Sequence, residues 1–314
     1  MIDIAVFLEG QNGLTWPRWQ RIAAASEDLG YAGLYRSDHF TNANPPDKES
    51  LELWVSLAWL ASHTERIEFG PVVSPISFRH PAFTARMAAA VDDLSGGRLS
   101  LGLGAGWQER EHNNYGFELL SKSERFDRFE EGVEVINSLL SSDDPIDFSG
   151  QYFQIEEGIL LPRPQRPGGP PIMIGGNGRK RTLPIAARYA REWNALMATP
   201  DRFVELNQYM DILLREQSRD IKEVRRSMMV GCIFGRNKNQ LEERVAARTK
   251  GERTADDLRA RGVVVGTSNQ MVDQISQLEE AGVQRLMLQW LDLDDIDGLE
   301  AIATNVLPQL ANKS

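Results

Sequence analysis

Residues 2–15 read IDIAVFLEGQNGLT, and the segment after the first apolar run decides between two folds. Residues 2–8 carry the β-branched and aromatic side chains of a strand. A dinucleotide-binding sheet places a GxGxxG turn directly after such a strand, and FLEGQNGLT (7–15) does not match it. The chain enters a helix instead. Thr15 offers an N-cap, Pro17 sits in the first turn, and the helix runs through Glu27 to a stop at Gly30.

The same rhythm continues outward. Further strands are expected at 32–35, 67–73, 99–103, 172–175, 193–197, 228–234 and 285–289. Helices are expected at 50–62, 82–94, 123–140, 179–189, 201–217, 241–261 and 269–281, with a last one ending near Leu310. Eight strands, each followed by a helix, argue for an α/β fold with a parallel sheet. With the dinucleotide fingerprint missing, the expectation is a (β/α)8 TIM barrel, a single domain over residues 1–314. One interruption stands out at 145–171, PIDFSGQYFQIEEGILLPRPQRPGGPP. Two short alternating runs flank Ser149-Gly150 and a Pro/Gly-rich return comes after them, which reads as a hairpin inserted after the fourth βα unit.

Composition narrows the function. The 314 residues are 41% hydrophobic, ample for a full core, and the net charge is −10 with no block of five like charges. A basic footprint for nucleic acid is absent. The single cysteine, Cys232, excludes an intramolecular disulfide and a multi-cysteine zinc site. Its setting, MMVGCIF (228–234), reads as a buried structural thiol. The N-terminus has no basic region and Asp3 interrupts its apolar stretch, so a first strand is the better reading than a signal peptide. No apolar run approaches membrane-spanning length. A cytoplasmic enzyme is the expectation.

In barrels of this kind the site is built at the C-terminal ends of the strands, which turns the sequence into a few strand-exit segments. The second exit, RSDHF (36–40), sets Asp38 beside His39; a histidine there serves as an acid/base near neutral pH or as an ordinary loop residue. The third, GPVVSPISFRHP (70–81), is stiffened by proline, and Arg79-His80 either favours an anion or simply starts the next helix. The fourth, GLGAGWQEREH (102–112), alternates Gly102, Gly104 and Gly106 before Trp107, Glu109 and Glu111. Those glycines fit either a structural bulge or the close approach of a flat ring. The fifth, IGGNGRKRTL (174–183), puts glycines before a helix carrying Arg179, Lys180 and Arg181, a cradle for phosphate. It lacks the GK[ST] ending of a P-loop. His39, His63, His80 and His112 have no metal-binding spacing, and GxSxG is absent.

Together these segments resemble the luciferase-like monooxygenase superfamily, whose members use FMN or the deazaflavin F420. The resemblance is carried by RSDHF, SPISFRHPA (74–82), DDLSGGRLSLGLGAGWQEREHNNYGF (92–117), IMIGGNGRKRTL (172–183), REWNALM (191–197) and VVVGTSNQMVDQISQLEEAGV (263–283). It implies a barrel with the cofactor ring at the strand exits, against Asp38, Val72, Gly104 and Gly106. The cofactor phosphate would lie near Gly175, Gly176, Asn177 and Gly178. Asp38 and His39 would form the catalytic pair at its reactive edge. The resemblance also implies a non-proline cis peptide in strand three, near Pro71–Val72.

The sequence looks closer to the F420-using branch, but Trp107 stands where the sugar-phosphate dehydrogenases of that branch carry a catalytic Glu. Trp107 and Glu109 are therefore read as substrate residues, for an apolar or planar small molecule. Hydride transfer with F420 is the first reading. The alternative is an FMN-dependent monooxygenase served by a flavin reductase, and a third is a non-catalytic flavin-binding protein. Relatives pair as homodimers through barrel helices, and Leu53, Trp54, Val55 and Trp59 make the second helix apolar.

Overall fold

The computed structural model describes residues 1–311. Strand β1 (Asp3–Leu8) leads into helix α1 (Trp16–Asp28) and β2 (Gly33–Arg36) into α2 (Leu53–His63). The third barrel position comes in two pieces, β3 (Glu68–Pro71) and β4 (Ser74–Pro75), before α3 (Pro81–Leu94). After β5 (Leu101–Gly104) come two helices, α4 (Glu109–Tyr115) and α5 (Lys122–Ser141), and the antiparallel hairpin of β6 (Ile146–Ser149) and β7 (Gln154–Gly158). Alternation resumes with β8 (Ile172–Gly175), α6 (Thr182–Tyr189), β9 (Glu192–Leu196), α7 (Pro200–Glu216) and β10 (Arg225–Phe234). The chain closes with α8 (Lys238–Thr249), α9 (Ala255–Arg259), β11 (Val264–Gly266), α10 (Ser268–Glu280), β12 (Arg285–Gln289), α11 (Ile296–Asn305) and α12 (Leu307–Ala311).

Nine strands follow one another in the order β3-β2-β1-β12-β10-β9-β8-β5-β4, each pair parallel. The two ends of that order are consecutive pieces of one stretch, so they fill a single place and the barrel has eight positions. β3 bonds to β2 (Gly33 opposite Glu68) and β4 to β5 (Ser74 opposite Leu103). Phe69 also bridges Leu99, with the Ser100 N–H donating to the Phe69 carbonyl at 2.8 Å. The expected TIM barrel, its eight strand positions and its mid-chain hairpin are all present.

Alternation along each strand sorts the side chains. In β1, Ile4, Val6 and Leu8 join the outer core with Trp19, Ile22 and Leu57, while Ala5 and Phe7 face the lumen. There they meet Tyr35, Met173, Met229 and Met287, so the barrel axis is filled rather than open. The floor is ionic. Arg285, at the start of β12 and fully buried, donates to Tyr35 Oη at 2.5 Å, Glu192 Oε2 at 3.1 Å and Glu68 Oε2 at 2.5 Å.

The structure corrects several details. The non-proline cis peptide is Val72–Val73, one bond beyond the expected place, and it separates β3 from β4. α2 starts at Leu53 with Glu52 as its N-cap rather than at Ser50, because the Ser50 hydroxyl is committed to the His39 carbonyl. α6 starts at Thr182 rather than Arg179, since 179–181 form a turn. The polar stretch after Gly106 contains α4, ended by Gly116 in a left-handed conformation. β11, three residues long, pairs only with the far end of β10, too short a run for periodicity to reveal. Leu53 and Trp54 are buried, so core packing accounts for most of the apolar character of α2; Val55 is 57% exposed.

Replacing Arg285 by Met strands a buried Glu192 carboxylate at the barrel floor. The expected loss is about 3–5 kcal/mol by guanidinium denaturation. It should be smaller in acid, where a protonated Glu192 needs no cation, because burial already pushes that carboxyl upward.

Candidate active site

The second strand exit is held from four sides. Arg36 is buried and donates from Nη1 to Ser56 Oγ (2.7 Å) and from Nη2 to the Leu51 carbonyl (2.7 Å). The Ser37 hydroxyl accepts from the Gly10 N–H (2.9 Å) and donates to Gln11 Oε1 (2.7 Å), tying the loop after β1. Asp38 is buried and accepts from Ser74 Oγ (2.7 Å) and Arg79 Nη1 (2.5 Å), across to β4 and the loop beyond it. Arg79 continues to Glu52 Oε1 at 2.9 Å. His39 turns to α4, its Nδ1 lying 2.7 Å from Glu111 Oε1, and the other oxygen of that carboxylate accepts from the Phe40 N–H at 3.1 Å.

These contacts separate the expected pair. Asp38 faces Ser74 and Arg79, whereas the partner of His39 is Glu111. Burial opposes charge on the His39 ring, but the hydrogen bond and charge of Glu111 outweigh it, so His39 holds its proton above its ordinary value of 6.5. Glu111 is buried too, and burial favours its neutral form, yet the bond from His39 keeps it below its ordinary 4.5. Trp107, 63% exposed, stands edge-on to the His39 ring with centroids 5.7 Å apart. Glu109 is exposed in the first turn of α4, so of the two carboxylates only Glu111 enters the site. Gln108, Glu111 and His112 share the buried face of α4 at helical spacing. That i, i+3, i+4 pattern is the signal that could have found Glu111 in the sequence.

A second protonic pair sits alongside. His112 Nδ1 donates to the Gln108 carbonyl at 2.7 Å, which leaves Nε2 to accept from the Ser77 hydroxyl at 2.8 Å. A Cβ on Gly106 would stand 2.9 Å from that hydroxyl.

The glycines turn out to have partners within the protein. A Cβ on Gly104 would overlap Val73 Cγ2, and one on Gly175 would lie 2.7 Å from Val73 Cγ1. Both glycines therefore make room for Val73, and Val72 packs on the lumen cluster. In the fifth exit Gly176 has φ 122°, open to glycine and strained for other residues. The Asn177 side chain is spent on β9, donating to the Leu196 carbonyl (2.7 Å) and accepting from its N–H (2.9 Å). A Cβ on Gly178 would stand 2.8 Å from Thr182 Oγ1. The neighbouring cations are drawn aside, Arg179 over the Tyr209 ring and Arg181 to Asp127. The backbone N–H groups of Asn177, Gly178 and Arg179 donate to no protein group among the described residues. An anion at this loop would be met by backbone rather than by side-chain charge.

A cavity of about 420 Å³ opens at the exits of β9, β10 and β12, lined by Met197, Gly231, Cys232, Arg248 and Gln289 among others. Cys232, expected to be buried, is half-buried on the wall of this cavity, and desolvation pushes its thiol up to about 12. Among the described residues no group of three His, Cys, Asp or Glu side chains could hold a metal ion, and no helix is long and apolar enough to cross a membrane.

The family model described as luciferase-like monooxygenase matches residues 3–253. The chain belongs to that family. Among curated relatives of this luciferase-like chain, an F420-dependent glucose-6-phosphate dehydrogenase of Amycolatopsis mediterranei is 27% identical, with 92% of each chain covered. An F420-dependent hydroxymycolic acid dehydrogenase of Mycobacterium tuberculosis is 34% identical over 55% of this chain, which spans about half (47%) of that relative. Among solved structures, an F420-dependent secondary alcohol dehydrogenase in complex with an F420–acetone adduct superposes with a TM-score of 0.86 at 19% identity, covering 98% of this chain and 99% of that one. An EDTA monooxygenase from Chelativorans reaches 0.83 at 17% identity, with 100% and 94% covered. At those identities the structural likeness speaks for the fold.

Gly104→Ala should cost about 1–3 kcal/mol in thermal or chemical denaturation, as overpacking does. Combining it with Val73→Ala should recover most of that loss, and a double-mutant cycle measures the coupling.

Proposed function

We propose that this chain, as one barrel domain over residues 1–314, is an F420-dependent oxidoreductase that exchanges a hydride with a small organic substrate at the strand exits. The observation that carries this is the His39 imidazole at the barrel mouth, held at Nδ1 by Glu111. Its Nε2 has no protein partner among the described residues. Relatives named for F420-dependent dehydrogenation, one of them covering 92% of this chain, support the choice of cofactor.

Bound F420 would supply hydride exchange. The residues here supply orientation and the proton. The free N–H groups at 177–179 suit the cofactor phosphate, and Asp38, Val72, Val73 and the backbone of Gly104 and Gly106 suit its ring. His39 Nε2 is free to take or return the proton that accompanies hydride transfer at an oxygen-bearing carbon. Trp107 lends an apolar wall beside it, which favours a substrate with a planar or hydrocarbon body.

The alternative is an FMN-dependent monooxygenase supplied by a partner reductase. It is supported by the likeness to a 4-hydroxyprotoasukamycin monooxygenase of Streptomyces nodosus, 29% identical over 56% of this chain.

Fluorescence titration of the purified chain with F420 and with FMN, oxidised and reduced, separates the two. The expected result is tight F420 binding with FMN weak; preference for reduced FMN would mean the monooxygenase. His39→Ala should keep cofactor affinity and lower kcat by about 10²–10⁴-fold, and unchanged turnover would remove His39 from the chemistry.

A further inference from the structure

We propose that Glu111 is a positioning residue for the reaction, holding His39 in one tautomer and one orientation so that Nε2 is the atom presented to the substrate. The proposal rests on the reading of His39 as the acid/base.

The carboxylate reaches two consecutive residues of the second strand exit. Oε1 is 2.7 Å from His39 Nδ1 and Oε2 takes the Phe40 N–H at 3.1 Å, so one side chain clamps both. An ionised carboxylate only accepts. Nδ1 must therefore carry a hydrogen in both states of the ring, and proton exchange is confined to Nε2. Glu111 is 1% exposed and His39 15%, so neither reorients freely in water, and a buried carboxylate is stabilised by a cationic partner. Among the described residues no lysine or arginine is ion-paired with Glu111, which leaves the His39 ring to fill that role.

The other charges facing His39 are Glu9, at the exit of β1, and Asp38, its chain neighbour. Asp38 is neutralised by Arg79, and Glu9 accepts from Gln289 and Gln11. Among the described residues Glu111 alone is hydrogen-bonded to the ring. His112 provides an internal contrast. Its Nδ1 is fixed in the same tautomer by an uncharged backbone carbonyl, and Nε2 is occupied by Ser77. Adjacent residues of α4 thus serve two histidine-centred pairs differently, one bonded to a carboxylate with its outer nitrogen free, the other bonded only to a carbonyl and a hydroxyl with both nitrogens taken.

Glu111→Gln keeps the shape and removes the charge. In the full chain without added cofactor, the His39 ring proton tracked by NMR, assigned by its absence in His39→Ala, should titrate above the ordinary imidazole value. The substitution should weaken its proton affinity on the order of tenfold, one unit on the pH scale. In turnover, the rising limb of the kcat/KM profile for the direction in which His39 accepts a proton should move to lower pH by the same amount. A fall in kcat of about 10–100-fold is expected, with the F420 Kd within about twofold. Glu111→Asp, which retains the charge, should keep most of the raised proton affinity and serves as the comparison if the Gln variant folds poorly. A His39 titration that is the same in all three proteins, or a pH profile that does not move, overturns the role of Glu111. Absence of any F420 turnover in the unmodified chain would instead overturn the functional reading, and the NMR titration would still judge Glu111.

Discussion

A parallel sheet that closes must leave no strand edge unpaired, and here closure runs through a strand that is itself interrupted. β3 completes the bonding of β2, β4 completes that of β5, and between them Val72 still donates its N–H to the Arg36 carbonyl at 2.8 Å while Val73 takes no part in either strand. Val73 then occupies space that Cβ atoms on the neighbouring strands would need, which is why Gly104 and Gly175 stand opposite it. The architecture and the mouth of the site thus share one constraint. The residues that close the barrel also shape the mouth at the strand exits.

Charge is buried at both ends of this barrel, in different ways. At the floor a single guanidinium, Arg285, gathers Glu68, Glu192 and Tyr35. At the mouth the charges are distributed over loops. Asp38 and Arg79 join the second exit to the third, and His39 and Glu111 join the second to α4. Floor contacts hold strands together; mouth contacts fix the loops at the strand exits and with them the orientation of His39. Because Arg36, at the end of β2, and each of residues 37–39 beyond it are bonded to different elements, the second exit is held in place although 37–39 belong to no regular structure.

Much of this is legible along the chain. The eight strand positions and the hairpin after the fourth unit come from period-2 and helical patterns with their caps, whereas the weight placed on residues 36–40 comes from the family resemblance. The cis bond lies one residue beyond its expected place. The glycines at 104 and 175 suggest a ligand in the sequence, whereas their nearest demand is Val73. The sequence reading names Trp107 and Glu109 as substrate residues; in the structure Glu109 is exposed, and the carboxylate bonded to His39 is Glu111. The short helix that buries Gln108, Glu111 and His112 lies in a stretch whose composition is merely polar.

Sequence by itself determined the fold class, since hydrophobic periodicity and turn residues are local properties that any parallel closed sheet must satisfy. It also marked which loops would hold the chemistry, because strand exits are defined by the strands. Only the tertiary structure decided the partnerships. Whether His39 meets Asp38 or Glu111 depends on how α4 docks across 72 residues of chain. Whether Arg79 serves an anion or Asp38 depends on the approach of two strand ends. Such pairings are set by packing in three dimensions, where the cost of leaving a buried charge unmatched selects the partner.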